Sequence, residues 1–516
     1  MTGELHADGN SPGDLPFLER LIGQFTSLSK DIFIYGLSGS LGQVFSLITV
    51  PILTRLLTVD EFGTLDIIYA TLGYFAILMG LNIGSGLWRY YYEVPEEDIK
   101  DRQQMVSSLL WFVLVIGVPV AVAIAVFGPE ISVFLFKKPD HAAAIQLAVF
   151  ALPIMAIYNL FIGLQRLKRR PKNYLLINVG YSLLYFLLIL VFIIGFRKGI
   201  PGIFLAQLIA YSCGALATLW LSRDLLAFTF SKKWFFKMAA YGLPLLPAAF
   251  LNWSLAAVNR YFLNAHVGVV QVGYYSLASK ITLAMTLVVS SFILGWQPFM
   301  LANLKKPEAP KLYRITLNYF VMITLLFGAG LAVFARELVL LIATPAYLPG
   351  AALVSLLVLR QILPGVDYIT GIGIVVSKKT IFTSLALGAG VLANLASNLL
   401  LTARLGIYGA AISELVGVLT NSALVVIISN RLYPISWNKK IITQALLGFL
   451  ICVSVSMLIL RMDLPFQWTS LIRLSLITAY AFYLFTIIDK GQRNVILELS
   501  SQFIRHGLKR LHLLVE

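Results

Sequence analysis

The sequence predicts an all-α integral membrane protein of about fourteen transmembrane helices, built as two homologous six-helix bundles followed by two further helices. Three observations carry that prediction. Hydrophobic residues make up 59% of the 516 and charged residues only 12%, against about 25% charged in a soluble domain, and mean hydropathy is +0.85. Apolar stretches of roughly 20 residues, enough to cross a bilayer, recur along the chain. The chain also reads as if written twice, about 207 residues apart. Tyr35-Gly36-Leu37 recurs as Tyr241-Gly242-Leu243, Arg55 answers Arg260, Gly63 answers Gly273 and Trp88 answers Trp296. Arg197 with Gly199-Ile200-Pro201-Gly202 is matched by Arg404 with Gly406-Ile407-Tyr408-Gly409. Offsets between 205 and 210 need only short loop insertions. Two such halves point to a transporter, because two lobes can rock about a shared central path.

In chain order the spans fall near 32–54, 62–87, 107–127, 142–164, 174–196, 201–221, 239–260, 275–297, 315–335, 350–371, 380–402, 407–429, 441–460 and 468–488. Pro244 and Pro247 interrupt the start of the seventh, and the tenth has indistinct ends. The expected division is an N-terminal segment 1–30, a first lobe 31–230 holding helices 1–6, a second lobe 231–432 holding helices 7–12, helices 13–14 in 433–490, and a tail 491–516. No separate soluble domain is expected. Residues 1–30 are polar and acidic, so neither is a cleavable signal peptide. In the tail, Val495, Leu499, Phe503, Leu508, Leu511 and Val515 recur at helical spacing with Arg493, Arg505, Lys509 and Arg510 between them. That pattern fits an amphipathic helix on the inner membrane surface, with 16–30 as a shorter version.

Orientation follows from the loops. With both termini in the cytoplasm, about 28 Lys and Arg fall inside and about 10 outside, a strong positive-inside bias. The net charge of +16 is mostly this bias, and a nucleic-acid partner is not expected. Cys213 and Cys452 both fall within spans, so neither a disulfide nor a metal site is indicated. His6, His141, His266, His506 and His512 are scattered without ligand spacing. There is no phosphate-binding loop, and the longest outer connections, 128–141 and 336–349, are too short for a catalytic domain. The chain is read as a transporter rather than an enzyme, with no cofactor.

What remains is the set of ionisable groups at membrane depth, where each is costly unless paired or hydrated. Arg360 lies mid-span in the tenth helix and Asp367 follows seven residues later, nearly two turns, so the two share a face with Pro364 between them. Lys280 lies about two turns into the eighth span, Glu414 about two turns into the twelfth and Asp66 one turn into the second. A bland reading gives Lys280 an interhelical ion pair with Asp66 or Glu414. The reading preferred here puts Arg360 and Lys280 in a water-filled lumen. Arg55 and Arg260 fall near the outer ends of their spans, as anchors or as paired gates. Arg89, in Trp88-Arg89-Tyr90-Tyr91-Tyr92, marks the inner end of the second span. The run Gln165-Arg166-Leu167-Lys168-Arg169-Arg170 is topogenic, with anionic headgroups or substrate as its other candidate contacts. Cations lining a lumen suit an anionic cargo, since Arg and Lys pair with phosphate oxygens.

Tyr241-Gly242-Leu243-Pro244-Leu245-Leu246-Pro247, continued by Asn259-Arg260-Tyr261-Phe262-Leu263, resembles the seventh helix of Wzx-type polysaccharide flippases. Val272-Gly273-Tyr274-Tyr275-Ser276-Leu277-Ala278-Ser279-Lys280-Ile281 resembles the start of their eighth, and Leu53-Thr54-Arg55-Leu56-Leu57 with Glu61-Phe62-Gly63 their first loop. These belong to the multidrug/oligosaccharidyl-lipid/polysaccharide (MOP) exporter superfamily. The resemblance implies two six-helix bundles forming a V. It also implies movement of an undecaprenyl-pyrophosphate-linked oligosaccharide from the inner to the outer leaflet of the cytoplasmic membrane, for surface polysaccharide synthesis. The other readings kept are a lipid II-type precursor flippase, whose branch shares the fourteen spans, and a drug or cation exporter. Many relatives place an acidic residue before the arginine of the seventh helix, where this chain has Asn259. If that carboxylate couples transport to protons, Asp367, Glu414 or Asp66 must serve here. The expected mechanism is alternating access, driven by protons, sodium or membrane potential. Arg360, Lys280 and Arg89 would hold the pyrophosphate, with closure near Arg55 and Arg260. Expected partners are the lipid-linked oligosaccharide, membrane lipids and polysaccharide polymerase or chain-length machinery.

Overall fold

The computed structural model describes residues 48–460, 462 and 465–488; within them all regular structure is helical. Among the described residues thirteen helices are long and apolar enough to cross a membrane, and each lies on one of the predicted spans two to fourteen. The first span enters the described residues only at 48–56, here α1. The others are α2 (Val59–Gly80), α3 (Ile99–Val126), α4 (Ala142–Leu167), α5 (Lys172–Gly195), α6 (Gly199–Leu221), α7 (Lys232–His266), α8 (Val269–Asn303), α9 (Ala309–Val333), α10 (Leu353–Thr370), α11 (Ile381–Leu405), α12 (Ile407–Leu432), α13 (Lys439–Ile459) and α14 (Gln467–Ile487). Leu176, Leu216, Leu392 and Phe482 are mostly exposed on these helices. Apolar outward faces repeated across so many long helices are what a surface in contact with lipid requires. The chain is a multi-pass membrane protein. The amphipathic stretches expected at 16–30 and 493–515, and the Tyr35-Gly36-Leu37 copy of the repeat, lie outside the described residues.

Local sequence sets the helix ends. At the start of α2 the Thr58 side chain accepts from the Glu61 amide while the Glu61 carboxylate accepts from the Thr58 amide, so each satisfies one orphan donor of the first turn. In α7 the prolines act otherwise than expected. The helix starts at Lys232, passes through a tight 3-10 turn at Leu243–Leu245 and continues as Leu246–His266. Pro244 and Pro247 each stand in the first turn of a piece, where a missing N–H breaks no helical bond. Because α7 runs on to His266, Arg260 stands roughly 9 Å inside its end rather than at it.

Contacts group the chain into two compact units. The larger spans Ser38–Ala284 and Ala335–Tyr433. In it α2 packs on α4 and α7, α4 on α6, α7 on α11, and α12 on both α10 and α11. The N-terminal turns of α2 and α8 meet at Gly63 and Gly273, the pair matched by the repeat. A Cβ on Gly63 would overlap the Val269 carbonyl and stand 2.8 Å from the Gly273 nitrogen, and one on Gly273 would overlap the Val59 carbonyl. The repeat's equivalent helices thus touch at its equivalent glycines. Short helices before α4 and α10 (Gly128–Phe136 and Ala335–Ile342) are also repeat counterparts, and each is held by the other half. Thr54 and Arg55 donate to the carbonyls of Ile342 and Leu341 at 2.8 and 2.9 Å, while the Asn264 amide at the end of α7 donates to the Leu135 carbonyl.

The smaller unit gathers Met285–Phe334 and the described chain from Pro434 onward, with α9, α13 and α14 packed together. The Tyr480 hydroxyl of α14 donates to the Ala445 carbonyl of α13 at 2.8 Å. Trp296 is buried in this unit, edge-on to Tyr313 at 5.4 Å. Its repeat partner Trp88 lies in the larger unit against Gly163 with 44% of its surface exposed. The repeat therefore fixes a scaffold and leaves the surroundings of its residues free to differ.

Candidate functional site

In the larger unit a chain of five residues, one from each of five helices, links charge to charge. Asp66 of α2 is paired with Arg260 of α7. The Arg260 guanidinium lies over the Tyr275 ring of α8, 5.6 Å from its centre, a favourable placement for a cation on a π face. The Tyr275 hydroxyl donates to Glu414 of α12, and the other Glu414 oxygen accepts from Arg360 Nε of α10 at 2.8 Å. Tyr275 and Glu414 are buried at 0% and 3% exposure, which at membrane depth is tolerable because each charge along this chain of five has a partner. α10 and α12 run in parallel and in register. Seven residues on from the Arg360–Glu414 pair, the Asn421 amide donates to Asp367 at 2.8 Å, so both polar residues of α10 face α12 as their spacing predicts.

Asp66, Arg260, Arg360 and Glu414 line a cavity of about 210 Å³ together with Lys280, Ser279, Trp253 and Gln361. Lys280 makes no ion pair with any described residue, although two carboxylates lie in the same cavity. Neither pairing considered for it, with Asp66 or with Glu414, forms; each acid is taken by an arginine. The cavity therefore holds three cations against two carboxylates. A second cavity of about 470 Å³ adjoins it, sharing Asp66, Tyr69, Trp253 and Lys280, and is walled by Tyr181, Tyr185 and Tyr211.

Of the residues singled out in the sequence, Arg260, Lys280, Arg360, Asp66 and Glu414 converge here. Arg360 lines the cavity and also has a carboxylate partner, because α12 brings Glu414 to it. Three others lie elsewhere. Arg55 is exposed and caps the end of the Ala335–Ile342 helix. Arg89 pairs with Glu93 at 2.7 Å with half its side chain exposed, and Glu93 also meets Lys237 at 3.4 Å. Asp367 is absent from the lining of either cavity. In the basic run, Lys168 is bound to Asp224 at 2.7 Å and Arg166 lies over the Tyr174 ring. Tyr275, the link between the two ion pairs, was missed; it stands five residues before Lys280 in the same motif. Trp253 was missed too. Its indole donates to the Ala70 carbonyl at 2.9 Å, and its ring lies on Gly73, where any Cβ would overlap it.

The helix arrangement is the fold of solved MOP-superfamily proteins. Among solved structures, the lipid II flippase MurJ in an inward closed conformation superposes with a TM-score of 0.69 over 90% of this chain and 100% of that one, at 14% identity. A multidrug resistance MATE family transporter of the MOP superfamily, inward-facing, gives 0.60 over 75% and 94%, at 17% identity. The family model described as polysaccharide biosynthesis protein matches residues 28–303, more than half of the chain, and the chain belongs to that family. The succinoglycan biosynthesis transport protein ExoT of Rhizobium meliloti (strain 1021) is 24% identical over 263 residues, and the match takes in half of each chain.

Proposed function

We propose that this protein is a flippase that carries an anionic, polyprenyl (undecaprenyl) pyrophosphate-linked oligosaccharide from the inner to the outer leaflet of the cytoplasmic membrane, for surface polysaccharide synthesis. The observation that carries the reading is Lys280, a cation left without a counter-ion in a cavity where every other charge is paired. A diphosphate entering there supplies the missing anion, and its remaining charge competes with Asp66 and Glu414 for the two arginines. A cationic cargo would instead find the carboxylates already occupied. The family membership and the half-length match to a succinoglycan transport protein support a saccharide cargo. In this reading the termini are cytoplasmic, the cavity alternates between faces, and Asp66 and Glu414, once released by substrate, are the groups able to take up a coupling proton. A polymerase would receive the product at the outer face.

The test is flipping of a short-chain lipid-diphosphate disaccharide in vesicles containing the purified protein. Lys280→Met is expected to lower the rate at least about tenfold, a barrier difference of about 1.4 kcal/mol, and Lys280→Arg to restore most of it. Wild-type rates in Lys280→Met would remove the assignment, and no flipping by the parent protein would count against the function.

A further inference from the structure

We infer that the tyrosine-walled cavity beside the charged one is a carbohydrate subsite, receiving the sugar rings next to the diphosphate. This rests on the reading of a lipid-linked saccharide cargo and says where its head group is recognised.

Sugars present two kinds of surface, flat C–H faces that stack on aromatic rings and hydroxyl edges that need hydrogen-bond partners. The cavity offers both. Tyr181 and Tyr211 stack at 4.7 Å, and Tyr185 lies parallel to Tyr181 at 6.2 Å, so α5 and α6 present an ordered aromatic wall. Trp253 faces the same space from α7, its ring pinned by Ala70 and Gly73. Rings fixed in advance lose little freedom on binding. The Tyr69 hydroxyl stands 3.2 Å from both the Tyr185 hydroxyl and the Gln207 side chain, long contacts that a sugar hydroxyl can join or replace. At about 470 Å³ the cavity falls within the range of small-molecule sites.

Two features separate this wall from ordinary core packing. Tyr69, Tyr181, Tyr185 and Tyr211 are only half-buried and line the cavity. The repeat also shows that the scaffold does not need them. At the 207-residue offset that relates Gly199 to Gly406, the positions of Tyr181, Tyr185 and Tyr211 are Gly388, Leu392 and Val418. One half of a duplicated frame carries phenols at membrane depth, where each hydroxyl needs a hydrogen-bond partner. The two cavities share Asp66, Tyr69, Trp253 and Lys280. A diphosphate at Lys280 therefore puts its covalently attached first sugar at the entrance of the tyrosine wall.

The experiment compares two probes on the purified full chain by tryptophan fluorescence: a C10 prenyl diphosphate and the same lipid carrying a disaccharide. The parent protein is expected to bind the disaccharide lipid about tenfold more tightly. In the Tyr181→Leu/Tyr211→Leu protein that preference should fall to within about twofold, with affinity for the bare diphosphate unchanged. Tyr181→Phe/Tyr185→Phe keeps the rings and removes two hydroxyls. It should lose about threefold of the preference and decides the matter if the leucine protein no longer binds the bare diphosphate. A parent that binds neither lipid overturns the anionic-cargo reading. A parent that binds both equally, or a preference surviving in the variants, overturns the sugar subsite alone.

Discussion

At Arg360 and Glu414 the membrane interior makes pairing obligatory. Removing one partner strands the other ion, at a cost of about 3–5 kcal/mol, whereas replacing both with apolar or neutral groups is far milder. Arg360→Met alone, which leaves only Tyr275 to serve Glu414, is therefore expected to lower the thermal midpoint sharply. Adding Glu414→Gln should return most of the loss, which a thermal shift series on the purified protein measures. Charged positions of this kind were legible in the sequence because a charge in an apolar span stands out. Their partners were not. Asp66 lies 194 residues from Arg260, and no local spacing says that α7, rather than Lys280 of α8, reaches it. The tyrosine wall was less legible still, since a tyrosine in a span is as much at home in a core or an interfacial belt.

Among the elements, the α2–α8 crossing depends on two glycines and so can be tested by the smallest possible change. Gly273→Ala places a methyl against the Val59 carbonyl, a backbone atom that cannot turn aside. It is expected to destabilise the protein by about 1–3 kcal/mol. Gly180→Ala in α5, where a methyl meets nothing within 4 Å, should be neutral or slightly stabilising. Parallel thermal melts check both, and equal effects would contradict the crossing. Helix existence was readable from hydropathy because the bilayer sets one length for every span. The course of α7 was not. Proline interrupts an apolar pattern in the same way whether it ends a helix or opens its next turn.

For the whole molecule, the alternating access proposed above requires the reciprocal contacts of 48–56 with Ala335–Ile342, and of α7 with Gly128–Phe136, to open in every cycle. With Cys213 and Cys452 replaced, a Thr54→Cys/Ile342→Cys pair is expected to cross-link under oxidation. Flipping should stop in the cross-linked protein and resume on reduction; continued flipping would show that this closure is no gate. The sequence repeat made the symmetric frame readable. The two compact units were not readable, because composition is uniformly apolar across them and α8 runs through both.

The ion pairs also constrain how the chain is made. α2 leaves the ribosome carrying Asp66, and its arginine partner is not synthesised for another 194 residues, roughly 10–40 s at 5–20 residues per second. Glu414 emerges 54 residues after Arg360. The spans concerned are marginal in hydropathy, at 1.5 for α2, 1.3 for α7 and 1.4 for α10, against 2.8 for α3. During that interval Asp66 is a charge in an apolar span without the arginine that pairs it in the folded protein. Chains truncated before α7 should accordingly stay bound to the insertion machinery and be degraded, while truncation after α12 should release them into the bilayer.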